Sequence, residues 1–306
     1  MKFSRLTMNF KATVFVDTVY LNRLNEMRRV HSELNHDWEL IVSQLKNLHE
    51  KGHELQLHLH PNWLHATYEN GFWTSVLTDY KLSDMSEEEV DGMFRNGIKI
   101  LNLITNGCEV IAFRAGAYGI QTYLNMQNMF AKYGIKIDSS VYRNHKSITE
   151  RLEYFDFTHV PKEYVYRFQS NVCIKEELGS YIEVSIPSFW ISKIKIVRSK
   201  LDQRKSEFSS KCWGDGKGSI GTLDGKLVRL KKSLLAHTKP SRIVASIDCS
   251  NSYYLNYIFK KEKRKAKDYM LIMGHPKSFL PYSLMYLDKF LNQLSKNDKN
   301  TISFFS

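Results

Sequence analysis

The 306-residue chain predicts an α/β fold, a closed or nearly closed (β/α) barrel of about seven parallel strands, and three observations carry that expectation. Short, β-branched apolar runs alternate with helical patterns along the chain, and runs that brief suit strands buried on both faces. Strand, helix, strand, helix implies a parallel sheet, because parallel neighbours require crossover connections. Notable polar residues recur at the predicted strand ends, where the loops of such architectures converge on one face.

The elements follow in order. Ala12 to Asp17 (A-T-V-F-V-D) reads as a strand ending at the acid. A helix from about His36 to Lys51 places Leu40, Ile41, Leu45 and Leu48 on one face, and Gly52 ends it in a left-handed conformation. Leu55 to His60 is the next strand. Ser86 and Glu89 form a capping box for a helix lined by Val90, Met93, Phe94, Leu101 and Ile104, which stops at Gly107. Val110 to Phe113 is a strand, Thr122 to Tyr133 a helix ended by Gly134, and Ile135, Ile137 and Val141 flank an extended segment. Later strands are Tyr181 to Ile186, Ile243 to Asp248 and Tyr269 to Met273, with a closing amphipathic helix from Pro281 to Leu294. Residues 150–240 carry a weaker pattern and read as an insertion within one domain spanning 1–306. With only six prolines and no Ser/Gly run, nothing reads as a linker.

Forty-four Lys and Arg against 32 Asp and Glu give a net charge of +12. That balance favours anionic partners: nucleic acid, nucleotide-linked sugars, acidic glycans or a membrane face. The densest basic run, Lys260, Lys261, Lys263, Arg264, Lys265 and Lys267, reads as the solvated end of a surface helix. A nucleic-acid role rests on charge alone and is not the expectation. Cys108, Cys173, Cys212 and Cys249 lie far apart and are expected reduced. No secretory signal and no window of the ~20 apolar residues needed to span a bilayer are present, so the expected location is cytoplasmic, with room for a membrane-peripheral one.

The chemistry gathers at strand ends. In G-H-E-L-Q-L-H-L-H-P-N-W, His58 and His60 are spaced i, i+2, so on a strand both rings project from one face. Two imidazoles on one face can share a metal, and zinc takes imidazole and carboxylate, typically three protein ligands plus water. Asp17 is the candidate third ligand. An H-x-H pair alone fits two ordinary strand histidines as well; its surroundings favour the metal reading. His53 and His65 read as structural or peripheral. In F-R-A-G-A-Y-G, Arg114 ends a strand ahead of a small-residue turn and either binds an anionic group or pairs with a nearby acid. His275, in L-I-M-G-H-P-K, is placed to donate a proton to a leaving amine. Asp138 and Asp248 are strand-end carboxylates able to orient that histidine or bind substrate hydroxyls, with a helix-capping role preferred for Asp248. Gly216-x-Gly218-x-x-Gly221 lacks the preceding strand a dinucleotide site needs. No P-loop, H-E-x-x-H or G-x-S-x-G motif occurs.

Taken in order, K-A-T-V-F-V-D, G-H-E-L-Q-L-H-L-H-P, F-R-A-G-A-Y-G, G-I-K-I-D-S-S-V, I-E-V-S-I-P and M-G-H-P-K resemble the polysaccharide deacetylases of the NodB-homology type, in the branch associated with capsule and O-antigen biosynthesis. The resemblance runs from Lys11 to about Leu294 and implies a distorted (β/α) barrel. It further implies a divalent metal, usually zinc, and hydrolysis of the N-acetyl group of an amino sugar in a surface polysaccharide or its precursor. By motif, His58 and His60 match the metal histidines, although the family spacing is i, i+4. Arg114 matches the arginine that positions a catalytic carboxylate, His275 the general acid and Asp138 a carboxylate of the substrate cleft. The family's first motif, a strand ending in paired acids, precedes the A-T-V-F-V strand; here only Met1 to Phe10 precede it, without Asp or Glu. The expectation is therefore either an N-terminally truncated form short of the acidic motif or a chain in which Asp17 takes over part of its role, and the alternative to an active hydrolase is a catalytically impaired carbohydrate-binding relative.

Overall fold

A strand of five residues opens the described chain, T-V-F-V-D, and the acid that ends it also starts the first helix. The computed structural model describes residues 11–75, 81–121, 124–149, 153–205, 241–265 and 270–297. It divides into two compact units, with the boundary between Ile186 and Pro187.

In the unit ending at Ile186, β1 (Thr13–Asp17) runs into α1 (Thr18–Met27), whose N-cap is Asp17, its carboxylate accepting the Tyr20 N–H at 3.3 Å. Then come α2 (Leu34–Glu50), β2 (Glu54–Leu59), the short hairpin β3 (Thr67–Glu69) and β4 (Phe72–Thr74), and α3 (Glu87–Thr105). Helix α3 begins at the Ser86/Glu89 capping box and ends where Asn106 and Gly107 turn left-handed, φ 59° and 101°. β5 (Ala112–Ala115), α4 (Leu124–Tyr133), β6 (Ile137–Asp138), the hairpin β7 (Lys146–Thr149) and β8 (Glu153–Asp156), β9 (Val165–Phe168) and β10 (Tyr181–Val184) complete it.

These strands make a six-stranded sheet in the order β1-β2-β5-β6-β10-β9. The first five run parallel and β9 is antiparallel to β10. The fold is thus mixed α/β about a mostly parallel sheet. Strand alternation divides the side chains cleanly. Leu55, Leu57, Leu59 and Phe113 point to the face covered by α1, α3 and α4, where Phe113 meets Phe94 at 5.3 Å and Phe130 at 5.4 Å. The opposite face is polar: Thr13 donates to Glu54 at 2.7 Å, and Gln56 accepts the Ile111 and Ala112 N–H groups at 3.0 and 2.8 Å.

Gly97 sits mid-helix in α3, where glycine costs ~1 kcal/mol relative to alanine. Its reason is contact: a Cβ there would lie 2.5 Å from Thr18 Oγ1 and 2.7 Å from Leu57 Cδ1. Gly97→Ala is expected to destabilise the protein by ~1–3 kcal/mol, overpacking outweighing the better helix propensity. Urea unfolding measures this, and an alanine variant as stable as the parent would refute the close approach.

The second unit holds β11 (Ser188–Ile191), α5 (Lys193–Lys205), β12 (Ser241–Val244), α6 (Leu255–Lys263) and α7 (Pro281–Asn297). β11 and β12 pair antiparallel, and the core gathers Phe189, Ile191, Ile196, Ala245, Leu255, Ile258 and Phe290. Of the expected Ile243 to Asp248 strand, Ile243 and Val244 lie in β12 and Ser246 makes a single parallel bridge to Met273. Tyr269, Cys212, Lys267, the Gly216-to-Gly221 cluster and Met1 to Phe10 lie outside the described residues. Among the described residues no helix is long and apolar enough to cross a membrane.

Candidate functional site

Register brings three expected site residues side by side. Asp17 is the Cα partner of His58, and His58 of Arg114, at the C-terminal ends of β1, β2 and β5. Partners on adjacent strands project from the same face, so all three side chains belong to the polar face. His60 lies one residue beyond β2, still extended at φ −112°, ψ 96°, and its ring centroid is 4.6 Å from that of His58. The spacing i, i+2 therefore does bring the two imidazoles together.

Their environment specifies orientation. His58 Nδ1 is 2.7 Å from the Arg114 carbonyl oxygen, an acceptor only, so Nδ1 carries the proton and Nε2 the lone pair in the neutral ring. That is the outer-shell contact metal-binding histidines use to set tautomer and basicity. Gly116 allows the chain leaving β5 to pass over the end of β2: a Cβ on it would meet the Leu59 carbonyl oxygen at 2.6 Å and His60 Nδ1 at 3.0 Å. In the same turn Ala117 and Tyr118 both take positive φ, 48° and 62°, a conformation costing non-glycine residues on the order of 1 kcal/mol or more each.

Arg114 donates from Nε to the Ser139 carbonyl at 2.9 Å and from Nη2 to Ser139 Oγ at 2.8 Å, and its guanidinium stacks 4.3 Å from the Phe15 ring centroid. Burial lowers its pKa from the usual arginine value, countered by Tyr118, Asp138 and Glu183. Its hydrogen bonds thus hold it to Ser139 rather than to a carboxylate.

Asp138 is on the other face. It is the register partner of Phe113 and of Glu183, and Asp138 and Glu183 are both 0% exposed. Ser140 donates to Asp138 from Oγ at 2.7 Å and from its N–H at 3.2 Å, and the Val141 N–H donates to Glu183 Oε1 at 3.2 Å. Glu183 Oε2 is buried with no donor to it. A second carboxylate there would be an orphan charge, whereas a carboxylic acid donates to Asp138. Burial foremost, then repulsion by Asp138 and the hydrogen bond between them, holds Glu183 well above the usual carboxylate range. Burial also raises Asp138, against the lowering hydrogen bonds of Glu183 and Ser140. Sequence reading assigned Glu183 no role; a lone acid inside Y-I-E-V-S-I was the available signal.

In the second unit His275 and Asp248 form a pair. The Asp248 carboxylate takes the His275 backbone N–H at 2.6 Å and stands 2.8 Å from His275 Nδ1. Asp248 caps no helix with its side chain, despite standing at the N-cap of the 3₁₀ turn Cys249–Tyr254. It orients the imidazole instead, the other role read from the sequence. Gly274 permits this approach, since a Cβ would fall 2.3 Å from Ile247 Cγ1. His53 Nδ1 accepts the Ala12 N–H at 3.1 Å at the opposite end of β2, and His65 Nε2 lies 3.2 Å from Glu89.

The donor chemistry of His58 and His60 suits a borderline cation such as zinc. Among the described residues, however, no three His, Cys, Asp or Glu side chains form a group that could hold a metal ion. Asp17, the expected third ligand, spends one oxygen capping α1. Comparison of the chain with protein families, curated proteins and solved structures finds no match in any of the three.

Proposed function

We propose that the chain is a carbohydrate amide hydrolase of polysaccharide-deacetylase type, removing acetyl groups from N-acetylated sugars of a capsule, O-antigen or similar surface polysaccharide. The observation that carries it is the in-register row Asp17, His58 and Arg114 at the ends of three adjacent parallel strands, with the His60 ring against His58. In parallel α/β sheets this end is where ligands bind, and the order of motifs is the one the deacetylase resemblance implies. On this reading the mostly parallel sheet is part of a distorted (β/α) barrel, and the protein works in the cytoplasm or at a membrane face.

A divalent ion, zinc by donor type, would find two imidazole donors in His58 and His60, with Asp17 in register beside them, and when bound it would supply Lewis acidity toward the acetamide carbonyl. The protein's own residues do the rest. The Arg114 carbonyl keeps the His58 lone pair on Nε2 and Arg114 and Ser139 brace the strand ends, while in the second unit His275, oriented by Asp248, is the residue that the resemblance casts as general acid. The lack of a three-ligand group among the described residues favours one second reading, a carbohydrate-binding relative with impaired catalysis.

One experiment separates them. Metal content after zinc equilibration, followed by acetate release from an N-acetylglucosamine oligomer, is expected to show one zinc per chain and acetate above background, both lost in His58→Ala. Zinc without acetate selects the impaired relative, and neither zinc nor acetate ends the deacetylase reading.

A further inference from the structure

Helix α5 of the second unit turns an apolar stripe outward. Ile194, Val197 and Leu201, spaced i, i+3, i+7, are 65%, 44% and 49% exposed. The helix is already anchored on its other side, where Ile196 packs in the core and Ser199 is buried, its hydroxyl donating to the Ile196 carbonyl. The stripe is therefore surplus to holding the helix in place. Trp190, on β11 just ahead of α5, is a further large apolar side chain at 52% exposure, with the Arg242 guanidinium 4.8 Å from its ring centroid.

The charges that α5 itself carries beside this stripe are positive. Helix α5 reads K-I-K-I-V-R-S-K-L-D-Q-R-K, and its one acid, Asp202, accepts hydrogen bonds from Tyr282 and Tyr286 at 2.8 and 2.6 Å. That carboxylate is committed to two phenols. On the helix wheel Arg198 flanks one side of the stripe and Lys193 and Lys200 the other. Lys195 stands 4.2 Å from the ring centroid of Tyr257 in α6, which joins α5 to a helix ending in Lys260, Lys261 and Lys263.

We propose that α5 and Trp190 dock this protein on an anionic lipid surface. Such a surface offers both chemistries at once, acyl chains for the stripe and phosphates for the flanking cations. A tryptophan beside an arginine suits the headgroup boundary. A second copy of the chain would bring the same positive flanks against each other, and a nucleic acid would leave the stripe in water. Sinking Ile194, Val197 and Leu201 at the acyl boundary, with Lys193 and Arg198 at phosphate level, lays the helix flat on the bilayer.

Co-sedimentation of the full chain with vesicles of phosphatidylglycerol and phosphatidylcholine tests this, against vesicles of phosphatidylcholine alone. Binding is expected to the anionic vesicles, to weaken between low and high salt, and to blue-shift tryptophan emission in the parent but much less in Trp190→Phe. Lys193→Ala and Arg198→Ala should each lower partitioning about fivefold. Ile194→Ser/Val197→Ser/Leu201→Ser should abolish it, with an unchanged thermal midpoint because all three side chains are outside the core. Equal binding to both vesicle types, retained binding in the triple serine variant, or no vesicle binding alongside a dimer that the serine variant dissolves would each overturn the proposal. The last outcome would show that a second copy covers the stripe.

Discussion

On the proposed deacetylase reading, His275→Ala is expected to lower acetate release by ~10²–10⁴-fold, the range that a positioned general acid contributes. One carboxylate holds both the main chain and the ring of this residue, taking the His275 backbone N–H at 2.6 Å and standing 2.8 Å from Nδ1. With Asp248 accepting at Nδ1, the acid role proposed for this residue would fall to Nε2. Asp248→Asn removes the charge while keeping the size, and it should reduce the rate by loosening the ring rather than by removing the proton donor. The two residues act as a unit, so their effects should not add. The double variant should be no slower than His275→Ala alone. Additive losses would show that Asp248 works elsewhere, and a His275→Ala enzyme as fast as the parent would remove the imidazole from the chemistry. Zinc content, expected unchanged in all three variants, separates this role from one in metal binding.

Much of the fold was legible because its signals are local. The Ser86/Glu89 capping box, the left-handed stops at Gly52, Gly107 and Gly134, and the β-branched run before Asp17 each depend on a few adjacent residues, and each is found where the sequence places it. Helix α1 went unread. Its start is Asp17, a residue claimed for metal binding, and its apolar positions Val19, Leu21 and Leu24 are diluted by Asn22, Arg23 and Asn25. The antiparallel pairings were also invisible, since β9 joins β10, and β12 joins β11, through long-range register that no local pattern encodes. At the site, strand alternation correctly put His58 and His60 on one face, because an i, i+2 spacing is a statement about a single strand. Whether two strand-end acids share a face depends on the register between strands. Asp17 aligns with His58, whereas Asp138 aligns with Phe113 and so turns toward the helices. For Asp248 the local position favours a cap over the pairing with His275 that the sequence also offers, because that partner lies 27 residues away.

The buried acid pair should make the stability of the first unit fall as pH rises. Glu183 is held well above the usual carboxylate range by burial and by Asp138, so across a window opening near ~4.3, the unfolded glutamate value, the native state keeps a proton that the unfolded chain has released. With more protons bound in the native state, unfolding free energy decreases with pH by ~1.4 kcal/mol per pH unit for each such proton, until the folded pKa is reached. This is opposite in sign to the ordinary ion-paired carboxylate. Asp138, also raised, acts in the same direction. The groups facing the pair do not cancel the effect: Tyr166, register partner of Glu183, has its hydroxyl committed to the Val172 carbonyl, and Arg114 attracts from the polar side of the sheet while held by Ser139. Glu183→Gln mimics the protonated acid. Its amide oxygen can keep the Val141 N–H and its amide nitrogen can donate to Asp138, so the variant should match the parent near pH 4.5 and be the more stable of the two at pH 7. Glu183→Ala leaves a cavity and takes from the buried Asp138 the donor that Glu183 supplies, and should be less stable than Glu183→Gln at every pH. Urea midpoints measured from pH 4.5 to 8 check both. A glutamine variant with the same pH slope as the parent would mean that Glu183 ionises normally and that the two carboxyls do not share a proton.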